Sequence, residues 1–384
     1  MKGECMKRLY FAILICFFIC IPVKAQEKET ETIEQLVEEK MEGTFDFRDI
    51  DEMLHEIMPG KKMEFGETVM QVLTGKTDLS ANLLIRLIED RLFYEFRAGR
   101  KGLIQILLIA IIASLFTNLS GVLRNNQIAE IGFYVLYMLL VSISLHTFQT
   151  VMDSASVGIE KLLMFMRALG PVYFLAVALT SGSGTSIIFY QLILFFIYMI
   201  ELLVLNFLIP LLHIYMVVKI LDHISSESYL SKLAELIESG ISWISKTLLA
   251  AVIGLNLIQG LIAPAVDSLR RGILQKGVEA LPVIGDAIGG TAEVVLGTAV
   301  LMKNGIGVAG AIICMVICVV PILQIFGITF LYKVAAALIQ PVSDSRIVGC
   351  VSAVGDGSRL LLKLVCMTGL LFLITIAIVA ATTS

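Results

Sequence analysis

The sequence predicts an all-α, polytopic helical membrane protein with about six spans and additional broken or re-entrant helices. It also predicts an internal duplication and a small helical extracytoplasmic region at the N-terminus. Three observations lead there. Of the 384 residues, 57% are hydrophobic and 16% charged, where soluble domains average about 45–50% and about 25%. Beyond residue 101, six apolar runs are long enough to cross about 30 Å of hydrocarbon: 103–122, 131–150, 186–208, 247–265, 306–329 and 360–380. Prolines and glycines interrupt the apolar sequence at matched intervals in two halves of the chain. The formal net charge of −4 gives no reason to expect nucleic acid as a partner.

Residues 1–25 read as a signal peptide. Lys2, Lys7 and Arg8 form a basic start, an apolar stretch follows from Leu9 to Cys20, and Val23, Lys24 and Ala25 offer a cleavage site. An uncleaved signal anchor is the alternative, and either places the following region outside the cytoplasm. Residues 26–101 carry 18 acidic and 11 basic side chains and form the one hydrophilic region. Within it Ile50, Met53, Leu54, Ile57 and Met58 recur at helical spacing and stop at Pro59 and Gly60, and a second apolar stripe runs from Leu83 to Phe96. These stripes favour a small helical domain over a solvated linker. The transmembrane domain then occupies 102–384.

Several apolar segments are too short or too interrupted to span: 171–181, 211–221, 282–302 and 332–339. They are expected as broken, interfacial or re-entrant helices. Pro171, Gly182, Gly184, Pro210, Pro282 and Pro321 are the expected helix breaks, because proline removes a backbone donor and its ring crowds the preceding turn. Pro171 and Pro210 are 39 residues apart, as are Pro282 and Pro321, an offset of 111 that also pairs Val172 with Val283 and Leu212 with Leu323. Two repeat units, 131–222 and 246–339, running in the same direction, are the expected source. Paired interrupted segments at corresponding places are the sequence pointer to a substrate or ion path.

Candidate pathway-lining residues follow from charge and spacing. Glu201 stands in FFIYMIELLVLNF, where a charge near the bilayer centre costs about 2.5–3.5 kcal/mol unless it meets a partner or water. Lys246, Lys303, Lys333 and Lys363 are the expected partners. Asp286, Gly290, Glu293 and Gly297 recur at spacings of four, three and four, which places them on one helix face, and Lys303 follows them in the sequence. For the glycines, helix packing through small residues stands as an equal alternative.

Other motifs fail on context. GIGVAG at 305–310 matches a dinucleotide fingerprint, yet it follows no strand and opens an apolar helix; a Walker A lysine is also missing. No cofactor, metal or disulfide framework is expected, since the four histidines have no ligand spacing and 26–101 contains no cysteine. Ser183 with His213 or His223 as base would be needed for hydrolysis, though a serine in a Gly-rich stretch reads first as a turn residue, and geometry decides between them. The chain is expected not to be an enzyme.

Two segments carry a resemblance: LGPVYFLAVALTSGSGTS from Leu169, and LPVIGDAIGGTAEVVLGTAVLMKNGIGVAG from Leu281. In both the chain resembles the stage III sporulation protein AE family of endospore-forming bacteria, and the resemblance extends over the whole chain. It implies a multi-pass protein of the mother-cell membrane around the forespore. It further implies a place in a secretion-like channel complex with the other stage III A proteins, reaching the forespore protein stage II Q and supporting forespore development. The family brings no catalytic residues to carry over. A non-conducting scaffold for the complex's ring components is the alternative, and a membrane-embedded hydrolase a more distant one.

Overall fold

A computed structural model describes residues 45–57, 64–74, 102, 104–115, 126–181, 183–224, 229–278 and 285–382. The segment expected as a signal peptide and the stripe at 83–96 lie outside the described residues. Helix α1, Arg48–Ile57, forms where the apolar spacing predicts it, with Ile50 and Leu54 fully buried. The Asp46 carboxylate accepts the Arg48 backbone N–H at 3.1 Å and the Arg48 side chain at 2.6 Å, which fixes the helix start. This guanidinium holds the Asp46 carboxyl down to about 2. Helix α2, Phe65–Leu73, has a free N-terminal N–H at Phe65, and Asp51 of α1 accepts it at 2.6 Å. Phe45, Phe47 and Phe65 stack beneath this link, with centroids 6.0 and 5.3 Å apart. Helix α1 packs on the long α4 described next, and α2 on α8.

Beyond residue 101 the described residues form helices joined by short turns. They begin with a short apolar helix α3, Ile104–Leu115, followed by α4, Asn126–Ser181, and α5, Ser183–Ile200. A π-helical segment, Glu201–Leu208, continues directly into α6, Ile209–Asp222. Helices α7 (Ser231–Val278), α8 (Gly285–Ile339) and α9 (Ser345–Thr382) complete the chain. Five of the helices are long and apolar enough to cross a membrane. Several exceed that need: α4 has 56 residues, about 84 Å at 1.5 Å per residue, against about 30 Å of hydrocarbon.

Turn chemistry joins antiparallel neighbours. Asp222 accepts the Leu230 N–H at 2.8 Å between α6 and α7. Asp344 caps α9 by accepting the Arg346 N–H at 2.9 Å, and the Arg346 guanidinium lies 4.1 Å from the Phe133 ring centre of α4. The centre of the bundle is α8, the helix with the longest uncharged run, packed on α4 and α9. Ala309, Ile313 and Cys314 are fully buried there. The register with α4 is set by close approach. A Cβ on Gly158 would lie 2.7 Å from the Pro321 ring, and one on Gly310 would lie 2.8 Å from Leu169.

This packing corrects two of the expected breaks. Pro171 lies inside continuous α4 and Pro321 inside continuous α8. Residues 171–181, 211–221 and 332–339 are continuations of long helices rather than separate short ones, and 285–302 opens α8. A membrane helix tolerates the missing donor when neighbouring helices hold it in place, and the notch at Gly158 receives the Pro321 ring. Pro210 does perturb its helix: the eight residues from Glu201 take the wider π-helical turn just before it. Helix α5 packs back along α4. The Tyr190 ring lies on Phe174, with centroids 5.5 Å apart. Gly184 falls in the first turn of α5, while Gly182 and Pro282 lie outside the described residues.

Candidate functional site: charged side chains at membrane depth

Depth can be read from α8. Residues 304–332 carry no charge and run about 44 Å at 1.5 Å per residue, with Lys303 and Lys333 at the two ends. On neighbouring α9 the uncharged run is 364–382. Both lysines tie α8 to α9. The Lys303 ammonium is fully buried and donates to the Ala380 carbonyl at 3.4 Å. Lys333 donates to the Asp356 carboxylate at 2.7 Å and the Ser352 hydroxyl at 3.2 Å. Its methylenes pack on Gly355, where a Cβ would lie 3.1 Å from the Lys333 Cε.

Glu201 opens the π-helical segment, and its partner is Arg167 of α4, with Nη2 and Oε2 2.6 Å apart. This corrects the expectation of a lysine. Lys303 and Lys333 are engaged at the two ends of the uncharged run of α8, whereas Glu201 lies at an intermediate depth, level with the arginine. Arg167 is two residues from Leu169, which faces Gly310, so the pair sits well inside the depth marked by the uncharged run. The side chains remain 51% and 45% exposed. π-helical turns inside α-helices are frequent at functional sites.

The other expected residues fare differently. Asp286, Gly290 and Glu293 lie in the first turns of α8, but their side chains are outside the described residues. Gly297 is exposed, and a Cβ there would meet nothing within 4 Å, so it permits no close approach within this chain. Ser183 and His213 are separated by about 30 residues of continuous helix, about 45 Å of rise, and His223 lies farther still. No serine–histidine pair forms between them within one chain.

The matching family model is the one described as "Stage III sporulation protein AE", over residues 63–383. The chain belongs to the stage III sporulation protein AE family. A relative from Bacillus subtilis (strain 168), named "Stage III sporulation protein AE", is 23% identical over 363 residues, covering 92% of this chain and 90% of its own. No solved structure matches. The region matched to stage III sporulation protein AE includes α2 and every helix of the transmembrane bundle, and so both Arg167 and Glu201. The chain is therefore a polytopic, all-α sporulation protein with a salt bridge between α4 and the π-helical segment.

Arg167 and Asp356 were not singled out by sequence reasoning. Arg167 lay in a stretch that also holds Asp153, Glu160 and Lys161, which reads as an amphipathic connector when α4 is divided at its apolar runs. Asp356 lay in a short polar passage between Val354 and Ser358 and drew no notice without its partner.

Proposed function

We propose that this chain is a membrane subunit of a secretion or channel complex that links mother cell and forespore and is required for forespore development. The observation that carries this reading is the Arg167–Glu201 pair: both side chains are half-exposed at a depth where neighbouring helices are uncharged. A bilayer rejects such charge and a polar path accepts it. The complex includes the other stage III A proteins and, through them, stage II Q. The chain sits in the mother-cell membrane around the forespore with residues 26–101 extracytoplasmic, after a signal peptide at 1–25. It performs no catalysis of its own. The spacing of 111 residues reflects an internal duplication, supported by the matching directions of α6 and α8, which hold Pro210 and Pro321.

The test replaces the chain in its sporulating host with Arg167→Ala or Glu201→Gln. Late forespore reporter activity and uptake of a small polar dye by the forespore are read alongside recovery of the complex. Lost activity and uptake with the complex recovered intact supports a path. Normal activity and uptake in both variants favours the scaffold, in which the bundle only anchors ring components.

A further inference from the structure

The Arg167–Glu201 pair is the end of a longer feature. On α4, His146, Asp153, Glu160 and Arg167 stand seven residues apart, with Thr150, Val157 and Met164 between them at alternating steps of four and three. That spacing puts all seven on one face, and all seven are exposed. Gln149 joins the face and donates to the Asp153 carboxylate at 2.8 Å. The opposite face is core: Leu162, Phe165 and Leu169 are buried. From His146 to Arg167 the face is about 32 Å long, close to the hydrocarbon thickness.

Depth distinguishes this face from an ordinary solvated one. Gly158 touches Pro321 and Leu169 touches Gly310, so Glu160 and Lys161 lie level with the middle of the uncharged run of α8. Within the uncharged run α8 exposes only apolar side chains, Val308, Phe326 and Phe330. Around Glu201 the exposed residues include Leu194, Phe195, Tyr198 and Leu202. One molecule therefore presents hydrocarbon side chains and ionised ones at a single level.

We propose that the α4 face from His146 to Arg167, with Glu201, borders water across the hydrocarbon depth and forms one wall of a path for small hydrated solutes. Lipid cannot solvate this face. Its signs alternate by region, acids at Asp153 and Glu160 and then Lys161 and the Arg167–Glu201 pair, so the wall carries little net charge and excludes neither sign. The purpose of the path rests on the channel reading above; the contact with water does not.

Thiol reactivity tests it in the full-length chain, in sporulating cells that hold the complete complex and with the native cysteines replaced. Single cysteines are introduced as Val157→Cys, Glu160→Cys and Met164→Cys on the face, and as Val308→Cys and Phe326→Cys at exposed apolar positions of the uncharged run of α8. A small membrane-impermeant methanethiosulfonate is the probe. The expected result is modification of the three face positions at least about tenfold faster than the two apolar ones. Equal, slow rates at all five overturn the proposal. So does protection of the face that is lifted only when the other subunits are removed, because the face is then a protein contact. A protected face with Arg167→Ala still abolishing dye uptake leaves the channel reading standing with its wall elsewhere. A reactive face with uptake unchanged in that variant keeps the water contact and removes the reading.

Discussion

Removing Arg167 separates water from lipid as the medium beside Glu201. The pair is joined at 2.6 Å, and about half of each side chain is uncovered. If the uncovered half meets water, the pair behaves as an exposed ion pair, contributing about 0–1 kcal/mol. Arg167→Ala and Glu201→Ala then cost little individually, and their coupling in a double-mutant cycle stays below about 1 kcal/mol, less than about sixfold. If the uncovered half meets hydrocarbon, Arg167→Ala strands a carboxylate at about 2.5–3.5 kcal/mol, and removing Glu201 as well recovers most of it. The coupling then corresponds to roughly 70- to 400-fold. The assay is a denaturant series on native membrane vesicles at neutral pH that retain the complex, with unfolding followed by protease sensitivity of the full-length chain. The expected coupling is the smaller one. A value above about 2.5 kcal/mol would refute the argument from depth and exposure.

Other outcomes follow from the packing. Gly158→Ala places a methyl 2.7 Å from a ring fixed to the α8 backbone. It should cost about 1–3 kcal/mol in the same unfolding assay, with recovery when Pro321→Ala is added; no recovery would show that the notch does not serve the ring. Lys333→Met leaves Asp356 and Ser352 without their donor and should cost about 1.5–3 kcal/mol, toward the lower end because the pair is over a third exposed, while Lys333→Arg should retain more of the stability than Lys333→Met. Asp51 is raised above the ordinary carboxylate value by burial, with the Phe65 N–H opposing. Its folded form therefore takes up a proton before the unfolded form does, and its contribution is full in acid and declines as pH rises through the raised value. Asp51→Asn, which keeps an acceptor for Phe65, should gain stability relative to wild type between pH 4 and pH 7, read as protease resistance at α1–α2; a loss over that range would contradict the sign.

The apolar spans were legible because hydropathy is a property of local sequence, whereas the full length of α4 and α8 was not. Each of the six expected spans has its described part in a helix, and the Ile50–Leu54 stripe of α1 packs as its spacing predicts. The prolines were less legible. A proline removes one donor wherever it stands, but whether the helix breaks depends on what holds it on either side. Pro321 stays in a helix because Gly158, far away in sequence, leaves room for its ring.

The sequence alone determined that Glu201 required a polar partner or water, since a carboxylate among leucines and phenylalanines has no other stable state in a bilayer. It could not choose the partner. That choice depends on the relative depth of α4 and the π-helical segment, fixed by close contacts such as Gly158 on Pro321 and Leu169 on Gly310 that bring Arg167 level with Glu201. Composition determines which segments enter the membrane, because burial of apolar surface adds up residue by residue. Which charged groups meet there is a matter of register between helices, and only the packed tertiary structure decides it.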